Sequence, residues 1–403
     1  MSTVTLGQCY DWAKAQSEDL KIRGEDIEQS RARGRSAISS ALPKVDFKLT
    51  DTWQDPAGVK KLDAKGFSGF VEKNQLESKF TATQALFSGL REFSAEAGFE
   101  REQERDKLRL QRAEKELFLT TAQAFYAVVG SETDRANTSA AFDLAQNRVK
   151  ELSGFLRNGK SRDSEVFTAK AHAAALKGQL DQIEGNAISA REDLSYLTGH
   201  DLSAATFIDD APIPAAPPPI ESLLEKSRER SDLRAQREEV AGRKLRIRYE
   251  RGSFWPSADL TGNYYTKRAT FLKDIDWDVI LDVDVPILSG GSTTAAVREA
   301  KSAFNQANFT LQQMERWVSS AVRKTHGQLG ASLQEVQSMD AAAQSARQSY
   351  DSLLKEYRLG LVTNLDVLQA LDFLQTQQNA RDAARLKAKR LAIQLAVATE
   401  QLP

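Results

Sequence analysis

Residue types that carry chemistry are sparse in this chain and poorly spaced for catalysis. The three histidines, His172, His200 and His326, stand apart from one another, and Cys9 is the single cysteine. No Cys/His run has the spacing of a zinc site, no glycine-rich loop suits a phosphate, and no nucleophile motif is present. Neither an enzyme nor a metal or organic cofactor is therefore expected. What the sequence supplies is carboxylates in strand-like alternation: Asp278, Asp282 and Asp284 interleave with Trp277, Val279, Leu281 and Val283. Carboxylates repeated along one strand face, with apolar residues on the other, suit a wet surface that attracts cations rather than a reaction centre.

Composition narrows the class. Hydrophobic residues make up 41% of the 403 positions, which places the chain among folded proteins. Lys plus Arg (55) almost cancel Asp plus Glu (56), so no basic excess points to nucleic acid. A lone cysteine excludes an internal disulfide. The start, Met1-Ser2-Thr3-Val4-Thr5, shows no basic region, apolar run or cleavage site, so no signal peptide is visible; the natural precursor is expected to carry one. Leu6-Gly7-Gln8-Cys9 has the cysteine of a lipoprotein cleavage site, but without the upstream apolar run and with Gln where a small residue belongs. A helical cysteine is the simpler reading. Nothing approaches the roughly 18 consecutive apolar residues of a membrane helix, so any membrane contact must be made by strands.

Four segments alternate as strands. Val45, Phe47, Leu49 and Trp53 oppose Asp46, Lys48, Thr50 and Thr52; Phe80, Ala82 and Leu86 oppose Glu77, Lys79, Thr81 and Thr83. Ala258, Leu260, Gly262 and Tyr264 oppose Asp259, Thr261, Asn263 and Tyr265, and the fourth apolar face runs from Trp277 through Val285 to Ile287. Each run has about the length of a tilted strand crossing a bilayer, with aromatics near its ends. Too few strands exist to cover these faces with a second sheet, and four cannot close a barrel. An open edge is not tolerated in lipid, so three copies giving a 12-stranded barrel are expected. Its lumen would carry Asp46, Asp259, Asp278, Asp282 and Asp284 with Lys48, Lys79 and Lys267. The loops at about 54–75 and 268–275 would lie outside.

Helices fill the rest. From Gly89 to Gly159, and from Gly290 to Gly360, 70 residues pass without a proline, roughly 100 Å of helix. Second helices follow to about Thr198 and Gln401. A seven-residue seam is expected through Val322, Leu329, Val336, Ala343, Tyr350 and Tyr357, and another through Val128, Phe142, Val149 and Leu156, broken once by Arg135. Gly159 and Gly360 suit the left-handed turn that ends each long helix. Beyond Gly360, Thr363 is a predicted N-cap with Asp366 as its capping-box carboxylate; in the first hairpin Asp163 or Ser161 would cap, with Glu165 in the place of Asp366.

The equal intervals define two internal repeats. Asp19-Leu20 and Asp232-Leu233 each precede a strand-entering proline, Pro43 and Pro256, by 24 residues. The first repeat is expected over 1–210, with strands at about 44–53 and 77–87 and its hairpin tip near 159. A Pro-rich linker covers 211–220. The second repeat covers 221–403, with strands at about 257–267 and 277–287 and its tip near 360.

Tyr357-Arg358-Leu359-Gly360-Leu361-Val362-Thr363-Asn364-Leu365-Asp366-Val367-Leu368-Gln369-Ala370 resembles the TolC family of outer-membrane efflux proteins. So do Thr5-Leu6, Ala41-Leu42-Pro43 and Asp284-Val285-Pro286-Ile287-Leu288-Ser289-Gly290-Gly291, and the likeness covers essentially the whole chain. The resemblance implies an α+β membrane protein in which coiled-coil α-helical hairpins form an α-barrel and four transmembrane β-strands per protomer complete a 12-stranded β-barrel in a homotrimer. It implies the outer membrane of a Gram-negative bacterium, contact with outer-membrane lipid, and a tunnel extending into the periplasm. It also implies a periplasmic adaptor (membrane fusion) protein and an inner-membrane pump as partners, in a tripartite efflux or type I secretion system. On that basis Arg157, Gly159, Arg358, Gly360 and Leu361 are adaptor-docking positions. Asp366 and Tyr357, with Glu165, belong to the tunnel constriction. Val362 stands where the best-known member has an arginine in the closing network, and Gln369 replaces a second constriction aspartate. The alternative is a soluble or peripheral coiled-coil scaffold whose strands form a small interaction sheet.

Overall fold

The computed structural model of the protein describes residues 3–63, 65, 72–269 and 272–401. In chain order the elements are β1 (Thr3–Val4), α1 (Leu6–Gln16), α2 (Glu18–Ser39), β2 (Lys44–Trp53), α3 (Pro56–Asp63), β3 (Asn74–Ser88), α4 (Arg91–Arg157), α5 (Asp163–Thr198), β4 (Thr206–Phe207), α6 (Ile220–Ser227), α7 (Ser231–Gly252), β5 (Ser257–Lys267), β6 (Trp277–Asp284), α8 (Ser292–Arg358) and α9 (Asn364–Ala398). The helices α4 and α8 are each 67 residues long, and α2 and α7 are each 22. They group into two compact units, each drawing on both halves of the chain: Met1–Ile22 with Leu110–Ser231 and Met314–Pro403, and Arg23–Arg109 with Asp232–Gln313.

The second unit carries an antiparallel sheet of order β2-β3-β5-β6. Its register sorts the side chains into rows. Phe47, Phe80, Tyr264 and Trp277 stand side by side on one face; Asp46, Thr81, Asn263 and Asp278 stand side by side on the other. Polarity and burial are inverted relative to a soluble sheet, where the apolar face is covered. Thr81, Asn263 and Tyr265 are buried, whereas Phe47, Leu49, Trp53, Val279, Leu281 and Val283 are exposed, Trp277 by 66%.

Two boundaries differ from the sequence reading. The fourth strand stops at Asp284 rather than 287, leaving Val285 and Ile287 outside it, because Pro286 has no N–H to donate to a ladder. The second strand begins at Asn74 rather than 77, since Leu76 and Gln75 still pair with Asp51 and Thr52. The segment read as the first outer loop contains α3. Its Pro56 occupies the first helical position, and the Asp55 carboxylate accepts from the N–H groups of Ala57 and Gly58, both at 3.0 Å. Residues 64, 66–71 and 270–271 of the two outer loops lie outside the described residues.

At the helical end of this sheet the turn after β3 has φ of +70° at Gly89, and a Cβ there would meet the backbone oxygen of Gly252 at 2.2 Å. Only glycine permits both the angle and the approach.

The first unit holds residues 110–157 of α4 and 314–358 of α8 with α5 and α9. One core cluster joins Leu6 and Cys9 of α1 to Phe118, Phe125 and Tyr126 of α4, Leu194 of α5 and Val397 of α9. A parallel bridge between β1 and β4, too short to read from alternation, ties the chain start to residues 206–207. Cys9 is fully buried, and burial pushes its thiol up to about 12. Gln8 is explained as the N3 residue of a capping box with Thr5, which begins α1.

The seam of α8 runs through Val322, Leu329, Val336, Ala343 and Tyr350, all buried. That of α4 departs from the expected one. Val128 is buried as expected, but C-terminal to it the buried positions are Thr138, Ala141, Ala145, Arg148 and Leu152, at alternating spacings of three and four, while Phe142, Val149 and Leu156 flank them half-buried. Small residues let neighbouring helices approach, so the seam centres on them rather than on the larger apolar side chains.

Candidate functional site

The two hairpin tips are built alike. Each long helix ends in a glycine with positive φ, +68° at Gly159 and +78° at Gly360. Gly159 N–H donates to Leu156 O (3.0 Å) and Lys160 N–H to Phe155 O (2.8 Å); Gly360 N–H donates to Tyr357 O (2.9 Å) and Leu361 N–H to Glu356 O (3.0 Å). This double bond pattern satisfies carbonyls that would otherwise be orphaned at a helix end.

The next helices start differently. Thr363 caps α9: the Asp366 carboxylate accepts from Thr363 N–H (2.7 Å) and from its hydroxyl (2.6 Å), completing a capping box. Those bonds hold the Asp366 carboxyl below the usual carboxylate range. In the first hairpin neither Asp163 nor Ser161 is the cap. Arg162 occupies that position without a side-chain bond, and Ser161 donates instead to Glu165 at 2.6 Å.

The structure draws Tyr357, Arg358 and Glu165 toward one buried cation that sequence reasoning missed. Arg148 of α4 lies with its guanidinium 3.7 Å from the Tyr357 ring centroid, donates to Asn364 Oδ1 at 2.9 Å and to Glu151 at 2.8 Å. Asn364 in turn donates to Glu165 O at 3.5 Å, and Arg358 sits 3.5 Å from Glu151. This knot joins three of the four hairpin helices directly and reaches α5 through Asn364. Burial pushes the Tyr357 hydroxyl up, with Arg148 opposing it. Asp366 stays out of the knot; among the described residues no cation pairs with it. Arg148 shows no sequence signal beyond being a charge at a seam position.

Around the tips the surface is apolar and basic. Leu359 is 75% exposed and Leu361 71%, with Leu365, Arg157 and Arg358 also exposed. The three histidines serve local packing: His172 meets Asp372 at 2.5 Å, His200 stacks on Trp12, and His326 faces Pro218 O at 2.9 Å.

On the sheet, all five aspartates expected in a lumen share the Thr81 face. Asp278 accepts from Asn263 (2.7 Å), Tyr265 (3.0 Å) and Arg268 (3.4 Å). Asp259 stands directly across from Asp282, and Lys48 directly across from Lys79. Like charges placed opposite one another cost stability, which argues for a role in solvent rather than in folding. Among the described residues no helix is long and apolar enough to cross a membrane.

The family model described as Outer membrane efflux protein matches residues 223–400. Outer membrane protein TolC of Escherichia coli is 23% identical over 410 aligned residues, covering 94% of this chain and 79% of that protein. Residues 223–400 thus match the outer-membrane efflux protein family, and almost the whole chain is similar to TolC. Alkaline protease secretion protein AprF of Pseudomonas aeruginosa is 25% identical over 70% of this chain and 55% of its own length. The Campylobacter jejuni CmeC outer membrane channel has the same fold, with a TM-score of 0.84 and 17% identity over 98% of this chain and 85% of that one. The protein resides in the outer membrane of a Gram-negative bacterium, and its general role is that of an efflux or secretion channel. The scaffold alternative is not favoured by relatives that are channels.

Proposed function

We propose that the protein is one protomer of a homotrimeric channel-tunnel that exports small molecules or proteins from an inner-membrane pump to the exterior, as part of a tripartite efflux or type I secretion system. The observation that carries this reading is the inverted sheet: apolar rows exposed, Thr81, Asn263 and Tyr265 of the polar face buried, and both edge strands, β2 and β6, without a further strand partner among the described residues. In lipid such edges must be closed, and three copies of four strands close a 12-stranded barrel. Two repeats per chain then give six hairpins around a helical barrel. Asp46, Asp259, Asp278, Asp282 and Asp284 line the lumen.

The hairpin tips carry two roles. Arg157, Gly159, Arg358, Gly360 and Leu361 form the apolar and basic surface on which a periplasmic adaptor docks. Asp366 from three protomers forms a cation-attracting ring, with Tyr357 and Glu165 belonging to the constriction. Arg148 holds Tyr357 in place and so supplies the cation of a closing link. The second hairpin, which keeps the capping box, governs opening. The test is reconstitution: a detergent-solubilised particle with three times the 44.7 kDa mass of one chain, conducting cations in a planar bilayer, is expected. A monomer that stays soluble without detergent and passes no current would refute the reading.

A further inference from the structure

Beside the sheet, where its two central strands meet the helices, lies a groove of about 500 Å³ lined by Leu90, Phe93, Leu245, Arg248, Arg251 and Trp255. We propose that this groove binds an anionic phospholipid, the headgroup on the arginines and the upper acyl chains on the apolar wall. The inference rests on the channel reading above, because it needs the apolar sheet face to lie in lipid.

Three independent observations carry it. The first is position. The groove opens where β3 ends at Ser88 and β5 begins at Ser257, residues paired with each other at the helical end of the sheet. With the exposed apolar rows in the hydrocarbon, this end stands at the headgroup level of one leaflet, the depth at which tryptophan and arginine anchors work.

The second is charge. Arg248 and Arg251 are three residues apart on α7, and both are exposed. Among the described residues neither guanidinium has an ion pair or hydrogen bond, whereas Arg243 and Arg246 of the same helix are held by Glu239 (2.7 Å) and Glu250 (2.6 Å). Two free planar guanidinium groups at one edge of an apolar groove complement a phosphodiester.

The third is strain. Leu90 adopts φ of +60°, a region that side chains other than glycine rarely occupy, and it is 58% exposed. At the matching turn before α8 both positions are glycine, Gly290 and Gly291. The chain thus accepts strain at Leu90 while presenting an apolar side chain that the protomer does not bury. Phe93 (67%) and Trp255 (63%) are exposed beside it. Lipid chains supply the missing contact.

The test uses the full-length protein reconstituted in vesicles of phosphatidylethanolamine and phosphatidylglycerol, then re-extracted in mild detergent. Lipid retained per protomer is counted by native mass spectrometry, and Trp255 emission is isolated as the difference from a Trp255→Phe variant. Expected are preferential retention of phosphatidylglycerol, a tenfold or greater loss of it in the Arg248→Gln/Arg251→Gln double variant, and quenching of Trp255 by lipids brominated high in the acyl chain. The Arg347→Gln control retains lipid as wild type. Equal retention of both lipids, or retention unchanged in the double variant, would overturn the proposal. So would an unquenched Trp255, which would mean that a second copy of the chain covers the groove. Wild-type conductance read from the same vesicles separates the two levels: no current refutes the channel reading itself, whereas full current with unselective lipid retention refutes the lipid site alone.

Discussion

The guanidinium of Arg148 lies 3.7 Å from the ring centroid of Tyr357, fastening the end of the second long helix to the first. Arg148 is buried, its Nη2 has no partner, and its Nε and Nη1 donate to Asn364 and Glu151. A cation over a ring in a desolvated site contributes about 2 kcal/mol, and each charged hydrogen bond about 1.5–3 kcal/mol. The knot is therefore strong enough to hold the end of α8 against α4 and α9, yet local enough to be undone by one substitution.

Arg148→Met is the direct probe, since methionine keeps the volume at a seam position. Single-channel recording is expected to show more frequent or larger openings than wild type. Recordings indistinguishable from wild type would remove Arg148 from the closing link.

The charge proposed for the constriction requires a gentler change than alanine, because Asp366 is also the capping-box partner of Thr363. Asp366→Asn keeps an acceptor for Thr363 and should lower cation selectivity and multivalent-cation block without loss of fold. Asp366→Ala should do the same and also remove one half of the capping box, lowering stability. Because the Asp366 carboxyl is held below its usual range, its charge persists as pH falls to about 4. The capping contribution is present above the unfolded-state value and disappears as pH falls through the lower folded-state one. Selectivity in wild type that vanished already at pH 6 would contradict this.

Alkali acts on the other side of the knot. The hydroxyls of Tyr350 and Tyr357 are both raised, chiefly by burial. Their contribution is intact below about pH 10, the ordinary tyrosine value, and is lost as pH rises through the folded-state values. Hydrogen exchange at the tips should accelerate above that pH, and less so in Tyr357→Phe. Equal acceleration in both proteins would assign the effect elsewhere.

At the turn after β3, Leu90→Gly should stabilise the protein by about 1 kcal/mol by relieving a left-handed side chain. Gly89→Ala should destabilise it by more, since its Cβ would strike the Gly252 carbonyl. Denaturant midpoints in detergent check both signs.

Cys9 offers a simple measure of core integrity. Fully buried and with its thiol pushed up to about 12, it should resist maleimide in the native protein and react only on unfolding. Rapid native labelling would contradict the N-terminal packing described above.

Much of the architecture was written in periodicity. Alternation around Phe47 and Val279 marks strands because one pleat face must differ from the other, and Gly159 and Gly360 mark hairpin tips because few other residues take their φ. What periodicity could not show was the α4 seam, since Thr138, Ala141 and Ala145 carry little hydrophobic signal and Arg148 carries the opposite one. Asn364, buried between Arg148 and Glu165, reads in sequence only as a polar residue after a cap. The β1–β4 bridge is two residues long on each side, below the length at which alternation is visible. The cap of the first hairpin was misread because Ser161 and Asp163 both have capping chemistry, and only the backbone decides that Arg162 holds the position.

The central claim is that exposed apolar rows on an unclosed four-stranded sheet are completed by two further copies within a membrane. Native mass spectrometry of the detergent-solubilised protein, paired with planar-bilayer recording of the same preparation, tests it most directly. A particle of three chains that conducts with cation preference is predicted; a monomer, soluble without detergent and silent in the bilayer, would contradict it.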